Sequence, residues 1–238
     1  MNQRVPLLII GSLLLPLGCG GPTGLEPSEF CSASDAAIAT FEDANLEAAI
    51  RAALSVGAQE PLTCGLISGL TVLDASFPAG IITSLVGIQN LTSLRDLELS
   101  VNSITDISAL SGLTSLKTLG LAYNSITDIS PLSGLTSLRT LSLYDNSISD
   151  ISALSGLTSL QELSLDNNSI TDISVLSGLT SLVGLGLNNN PNLTDIQPLL
   201  DNTGLGADDQ VNLESTSVSC TDVAALQAKG VTVESDCP

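Results

Sequence analysis

Histidine and tryptophan are absent from the 238-residue chain, and the first absence removes whole chemistries. Without an imidazole there is no Ser-His-Asp or Cys-His nucleophile, and no His-ligated metal. Basic side chains are nearly as scarce: 6 Lys and Arg stand against 25 Asp and Glu, for a net charge of −19. That balance excludes nucleic acid as a partner, since Lys and Arg supply most of the phosphate affinity. Aromatic residues are limited to Phe30, Phe41, Phe77, Tyr123 and Tyr144. The adjacent carboxylates Asp208 and Asp209 lie in a Gly-rich acidic loop with no accompanying acid, base or oxyanion cluster. We therefore assign no catalytic residue, no cofactor and no metal. What the chain does have is apolar residues, 43% of the total, enough for a substantial core at this length. The expected class is a binding or structural protein, not an enzyme.

The N-terminus reads as an export signal. One cation, Arg4, precedes an apolar run of 13 residues from Val5 to Leu17. That suits a signal-peptide core and falls short of the roughly 20 residues needed to span a bilayer. Leu17-Gly18-Cys19 follows and resembles the lipobox of bacterial lipoproteins, with Pro16 where that family prefers an aliphatic residue. The resemblance implies cleavage after residue 18, lipid on Cys19 and attachment to a membrane through it. Gly20 in place of an inner-membrane-retaining Asp implies an outer-membrane lipoprotein or a cell-surface protein, and without the lipid a secreted one. Residues 19–30 then form a flexible tether.

Lipidating Cys19 leaves Cys31, Cys64, Cys220 and Cys237, which allow three pairings. Two of them precede a long cysteine-free centre and two follow it, so the expected bonds are Cys31–Cys64 and Cys220–Cys237. Paired cysteines fit an oxidising compartment, and no CxxC spacing suggests a metal.

The centre is one phrase repeated. LTSLRDLELSVNSITDISALSG begins at Leu91, and near-copies begin at Leu113, Leu135 and Leu157, each 22 residues long. A degenerate copy precedes them (67–90) and a last one follows (179–202), so the array covers 67–202 through 91–112, 113–134, 135–156 and 157–178. Leu97 and Leu99 share one face of a short strand, and Ile104, Ile107, Leu110 and Leu113 return over the same interior. A single coil cannot cover its own leucines, so neighbours must stack into a solenoid with parallel strands on its concave side. Asn102, Asn124, Asn146, Asn168 and Asn190 recur once per coil, where a short amide can bond turn backbone that the sheet leaves unpaired. Asp106, Asp128, Asp150, Asp172 and Asp195 recur as well. Single carboxylates one coil apart converge too little for calcium and are expected to cap the return turn.

This LxxLxLxxNxIxDIxxL skeleton resembles the leucine-rich repeat family, in the 22-residue class of bacterial internalin-like surface proteins. The resemblance implies an α/β solenoid: a horseshoe with a parallel concave sheet, a short 3-10 or irregular convex side and capped ends. The N-terminal cap (31–66) is expected to hold a helix over 43–55 with Asp43 as its N-cap. The C-terminal cap (203–238), closed by a disulfide, is expected to hold a helix capped by Thr221, stopped by Gly230 and followed by a strand at Val231-Thr232-Val233. The chain departs from Gram-positive internalins in showing no LPxTG-type sorting signal before Asp236-Cys237-Pro238, so anchoring is expected to rest on Cys19 or to be absent.

Fifteen of the 22 positions are identical in the four regular repeats, and five of the seven variable ones surround the strand. The identical positions build the coil, and the variable ones are expected on the concave face and its rim. They supply the candidate ligand-binding residues: Tyr123 and Tyr144 as one aromatic patch, a basic row of Arg95, Lys117 and Arg139, and the acidic neighbours Asp145, Glu162 and Asp166. The family resemblance implies binding of another protein in adhesion or surface recognition, and the expected state is a monomer. An alternative is a structural envelope protein without one defined ligand, favoured by the near-identity of the repeats. A third is an intracellular regulator resembling the phosphatase-1 regulatory subunits of the same period, against which the export signal and the pairable cysteines argue.

Overall fold

The computed structural model describes residues 24–31, 34–76 and 80–238; the export segment, residues 1–18, and Cys19 lie outside them. Among the described residues eight three-residue strands form one sheet: β1 (Val72–Asp74), β2 (Asp96–Glu98), β3 (Thr118–Gly120), β4 (Thr140–Ser142), β5 (Glu162–Ser164), β6 (Gly184–Gly186), β7 (Gln210–Asn212) and β8 (Thr232–Glu234). They pair in chain order, all parallel, and the register is a shift of one repeat: Leu97, Leu119, Leu141, Leu163 and Leu185 stand side by side. The central residue of each strand from β1 to β7 is buried, while its neighbours face the concave side because strand side chains alternate.

The return path explains the convex side. Ile104, Ile107, Leu110, Leu113 and Leu116 are spaced by three and all buried. Three is the period of a 3-10 helix, in which residues i and i+3 eclipse. The segments Ser108–Leu110, Ser130–Gly134, Ser152–Gly156 and Ser174–Gly178 are 3-10 turns accordingly. The aspartate row opens them: Asp106, Asp128, Asp150 and Asp172 accept from the backbone N–H of Ser108, Ser130, Ser152 and Ser174, each at 2.8 Å. These bonds hold the carboxyls of Asp128 and Asp150 below the usual carboxylate range.

The asparagine row binds coil to coil. Asn146 Oδ1 accepts from Ile126 N (2.9 Å), while its Nδ2 donates to the carbonyls of Leu121 (3.0 Å) in the preceding coil and Leu143 (3.1 Å) in its own. Asn124, Asn168 and Asn190 repeat the pattern. Among the described residues no buried side-chain polar atom lacks a partner.

The solenoid runs further than its repeats. β7 arises inside the segment expected to be cap alone, because Val211 and Leu213 are buried like the strand leucines. Thr216 takes the asparagine position, its hydroxyl donating to Leu213 O at 2.7 Å. Helix α3 (Gln197–Asp201) replaces the last 3-10 turn, and Lys229 Nζ holds the carbonyls of Leu199, Leu200 and Asn202 at its end. Helix α4 (Cys220–Ala228) is capped by Ser219 rather than Thr221: the Ser219 hydroxyl accepts from Asp222 N, which puts Thr221 inside the first turn. The last strand starts one residue later than expected, at Thr232, and Cys220 bonds Cys237 across this cap.

At the other end, helix α1 (Ala44–Leu54) buries Leu46 and Ile50, with Asp43 accepting from Asn45 and Leu46. The second Asp43 oxygen accepts from the Thr83 and Ser84 N–H groups, so one carboxylate clasps cap to array. Burial pushes this carboxyl up, but the four backbone donors together hold it below its usual range. A one-turn helix, α2 (Cys64–Ile67), completes the cap, and Cys31 bonds Cys64. From Gly24 onward the expected loose tether is pinned instead. Leu25 N donates to Ile38 O, Gln89 Nε2 to Pro27 O and Asn90 Nδ2 to Glu29 O.

Candidate functional site

The concave face carries the side chains that flank each strand's buried centre. Its two ends differ, and they divide the candidate residues into separate groups. Arg95, Lys117 and Arg139 precede their strands, whereas Tyr123 and Tyr144 follow theirs. Five residues of extended chain from Arg139 to Tyr144 span roughly 16 Å. The cations therefore line the leading edge of the sheet and the tyrosines its trailing rim, and they do not form one patch.

On the trailing rim the two tyrosines meet. Their ring centroids lie 4.9 Å apart at an interplanar angle of 68°, an edge-to-face pair of the kind the ring quadrupole favours. Tyr123 is 48% exposed, and Tyr144 is half-buried, its hydroxyl accepting from Asn167 Nδ2 at 2.9 Å. Contact with Tyr123, then burial and the charges of Asp145 and Asp166, push the Tyr144 hydroxyl above its usual range, so it stays neutral. The pair thus presents an apolar surface with a fixed polar tip, beside carboxylates.

The backbone beneath it is unusual. Val101, Tyr123, Asp145, Asn167 and Asn189 all have φ between 52° and 61°, one per coil. Asn and Asp tolerate this left-handed region, while a β-branched or bulky residue does so at a cost. The run of Asp and Asn at three of the five positions was the readable signal, and only the dihedral angles give it meaning. Val101 should be the most strained. We expect Val101→Asn to stabilise the protein by about 1 kcal/mol, or roughly 2–4 °C in Tm. An unchanged urea midpoint would show that no strain is stored there.

The acidic residues are not equivalent. Asp145 is exposed. Asp166 is only 7% exposed, its carboxylate accepting from the Ser164 hydroxyl (2.6 Å) and Asn188 N (3.0 Å). It is committed to holding the strand end. Glu162 leans over Gly184 of the next coil, Asp166 over Gly186 and Glu98 over Gly120, each filling the place a Cβ would take. Gly184 and Gly186 leave a shallow trough of about 350 Å³ on the C-terminal half of the face, lined by Thr140, Ser142, Glu162, Asn188 and Asn212 among others. Among the described residues no group of three His, Cys, Asp or Glu is placed to hold a metal ion. No helix among them is long and apolar enough to cross a membrane.

Comparisons with known proteins agree with this geometry. Family profiles described as "Leucine Rich repeats (2 copies)" match residues 114–156 and 158–201, and one described as "Leucine rich repeat" matches 87–126. No curated protein sequence matches the chain. Among solved structures, internalin C2 of Listeria monocytogenes is 33% identical with a TM-score of 0.64, covering 81% of this chain and 93% of that one. Internalin F of the same organism is 30% identical with a TM-score of 0.63, covering 83% of this chain and 64% of that one. The functional domain of InlJ, also from Listeria monocytogenes and noted for a cysteine ladder, is 25% identical with a TM-score of 0.68. It covers 82% of this chain and 42% of that one.

Proposed function

From the premise that this chain belongs to the internalin family of leucine-rich repeat proteins, we propose that it is an exported, lipid-anchored protein that binds another protein through its concave face. The observation that carries this is the Tyr123–Tyr144 pair. Tyrosine offers large contact area at low entropy cost and recurs in interface hot spots, and these two are the only aromatic residues in the regular array. Asp145 beside them favours a partner surface that brings Lys or Arg onto the rings, where a cation meets both a carboxylate and a π face. Adhesion or recognition at the bacterial surface is the role that fits the family.

Export and anchoring rest on the leader, on Cys19 and on two disulfides that belong to an oxidising compartment. Radiolabelled lipid incorporated into the wild type and not into Cys19→Ser supports the anchor; equal labelling removes it.

For the binding reading, capture with residues 20–238 as bait should give a partner whose titration saturates at one site. The double variant Tyr123→Ala, Tyr144→Ala should weaken that affinity by at least about 30-fold, the loss of roughly 2 kcal/mol expected of a hot spot. Unchanged affinity would place the contact elsewhere. The near-identity of the repeats favours a second reading, a solenoid that spaces envelope components without one ligand. It predicts no saturable partner at all.

A further inference from the structure

The cations on the leading edge are not explained by a tyrosine-centred interface on the opposite rim. Among the described residues Arg51 is committed to Glu47 at 2.8 Å, the one ion pair present. Lys229 is committed to three carbonyls at the end of α3. The remaining three, Arg95, Lys117 and Arg139, are exposed and have no carboxylate within ion-pair distance among the described residues. They stand on successive coils: Lys117 N donates to Arg95 O (2.7 Å), Arg139 N to Lys117 O (2.8 Å) and Gln161 N to Arg139 O (2.8 Å). Three like charges are thus stacked at the sheet repeat of about 4.8 Å.

Their surroundings are hydroxyls. Two surface hollows, of about 360 and 490 Å³, run along this edge. Besides the cations and Gln161, their linings are entirely serine and threonine. All but Thr71, which stands at the register position of Arg95, come from the Thr-Ser step that opens each repeat. Although the chain has 25 Asp and Glu, none lines either hollow. Like charges stacked without counterions repel, and an anion of matching repeat relieves that repulsion.

We propose that this edge binds an acidic polysaccharide, a linear polymer bearing one carboxylate per sugar, laid along the solenoid axis. Its carboxylates meet Arg95, Lys117 and Arg139, the arginines in two-pronged fashion, and its ring hydroxyls meet the Thr-Ser steps. One coil advances by about 4.8 Å, close to the rise of one sugar in an extended 1,4-linked chain. A single-stranded nucleic acid fits less well, because the edge has no aromatic platform on which bases could stack. A second copy of this chain could offer the Asp106, Asp128 and Asp150 row at the same pitch. Exposed ion pairs are weak, however, and each copy carries −19.

The test is affinity electrophoresis or biosensor binding of the purified full chain to polygalacturonate, with amylose and inorganic polyphosphate as controls. The chain should bind polygalacturonate in preference to both. Its log affinity should fall against log salt with a slope of about −2, from roughly 0.7 per neutralised charge. Arg95→Gln, Lys117→Gln and Arg139→Gln together should weaken binding at least tenfold, while Tyr123→Ala with Tyr144→Ala leaves it unchanged. Equal binding by the triple variant, or equal retention on amylose, overturns the proposal. Polyphosphate held as tightly as polygalacturonate also overturns it, by showing an undiscriminating cation row. So does a wild-type chain that ignores the polymer yet self-associates in sedimentation in a way the triple variant abolishes.

Discussion

Replacing Asn168 with alanine is expected to cost about 2–4 kcal/mol of stability and lower Tm by roughly 4–16 °C. The amide is buried, with 7% exposure, and every polar atom on it is engaged. Oδ1 accepts from Ile148 N at 2.9 Å, and Nδ2 reaches the carbonyls of Leu143, Leu165 and Asp166 at 3.0–3.1 Å. Alanine leaves the buried Ile148 N–H without a partner, an orphan that costs about 1–3 kcal/mol. It also removes one of two donors from the Leu143, Leu165 and Asp166 carbonyls, which keep Asn146 Nδ2, Asn190 Nδ2 and Asp145 N. Stability in a solenoid is a sum of coil and nearest-neighbour terms, so the damage should be local. Amide exchange should accelerate most in the coils joined by Leu143 and Leu165. Ser169→Ala, on the exposed neighbour, should stay within about 0.5 kcal/mol. A loss below 1 kcal/mol for Asn168→Ala would mean that water replaces the amide and that the ladder is dispensable.

The second large effect is expected at Gly204, where alanine should cost about 3 kcal/mol or more. A Cβ built there lies 1.9 Å from Thr180 O and 2.5 Å from Thr180 C, both backbone atoms of the last repeat. The loop cannot retreat, because Gly204 N donates to Asn202 Oδ1 at 2.8 Å and Asn202 Nδ2 is itself held by Leu176 O and Leu179 O. Gly184 supplies the contrast. Its built Cβ meets Glu162 Oε2 at the same 1.9 Å, but that atom ends a flexible side chain on an open face. Gly184→Ala should therefore change stability by less than about 1 kcal/mol. Urea unfolding of the two variants side by side decides the matter, and equal losses would refute the distinction between a backbone and a side-chain obstacle.

Legibility followed the range of each interaction. Leucines spaced for a strand, apolar residues spaced by three along the return and one Asn per coil are local patterns, and stacking repeats them. The parallel sheet, the 3-10 turns and the asparagine ladder were accordingly readable. So was the N-cap of α1, since Asp43 acts within its own turn. The C-terminal end was less so: β7 lacks the repeat phrase, and Ser219 competes with Thr221 for one capping position that only the observed turn resolves. Within the candidate site, the meeting of Tyr123 and Tyr144 followed from counting along one repeat. The burial of Asp166 did not, because it depends on Asn188 in the next coil.

The absence of histidine and the repeated phrase determined by themselves that this is a leucine-rich solenoid without imidazole chemistry, whose variation lies beside its strands. A coil buries the same leucines whichever neighbour it meets, so one repeat's sequence suffices for that conclusion. Tertiary structure alone decided how the variable residues are distributed in space. It set Arg95, Lys117 and Arg139 on the leading edge and the tyrosines on the trailing rim, put Tyr123 in a left-handed turn, and pressed Gly204 against Thr180. Those outcomes depend on side chains and backbone of adjacent coils approaching within a few ångströms, and residues 22 or more positions apart carry no mark of that approach in the linear chain.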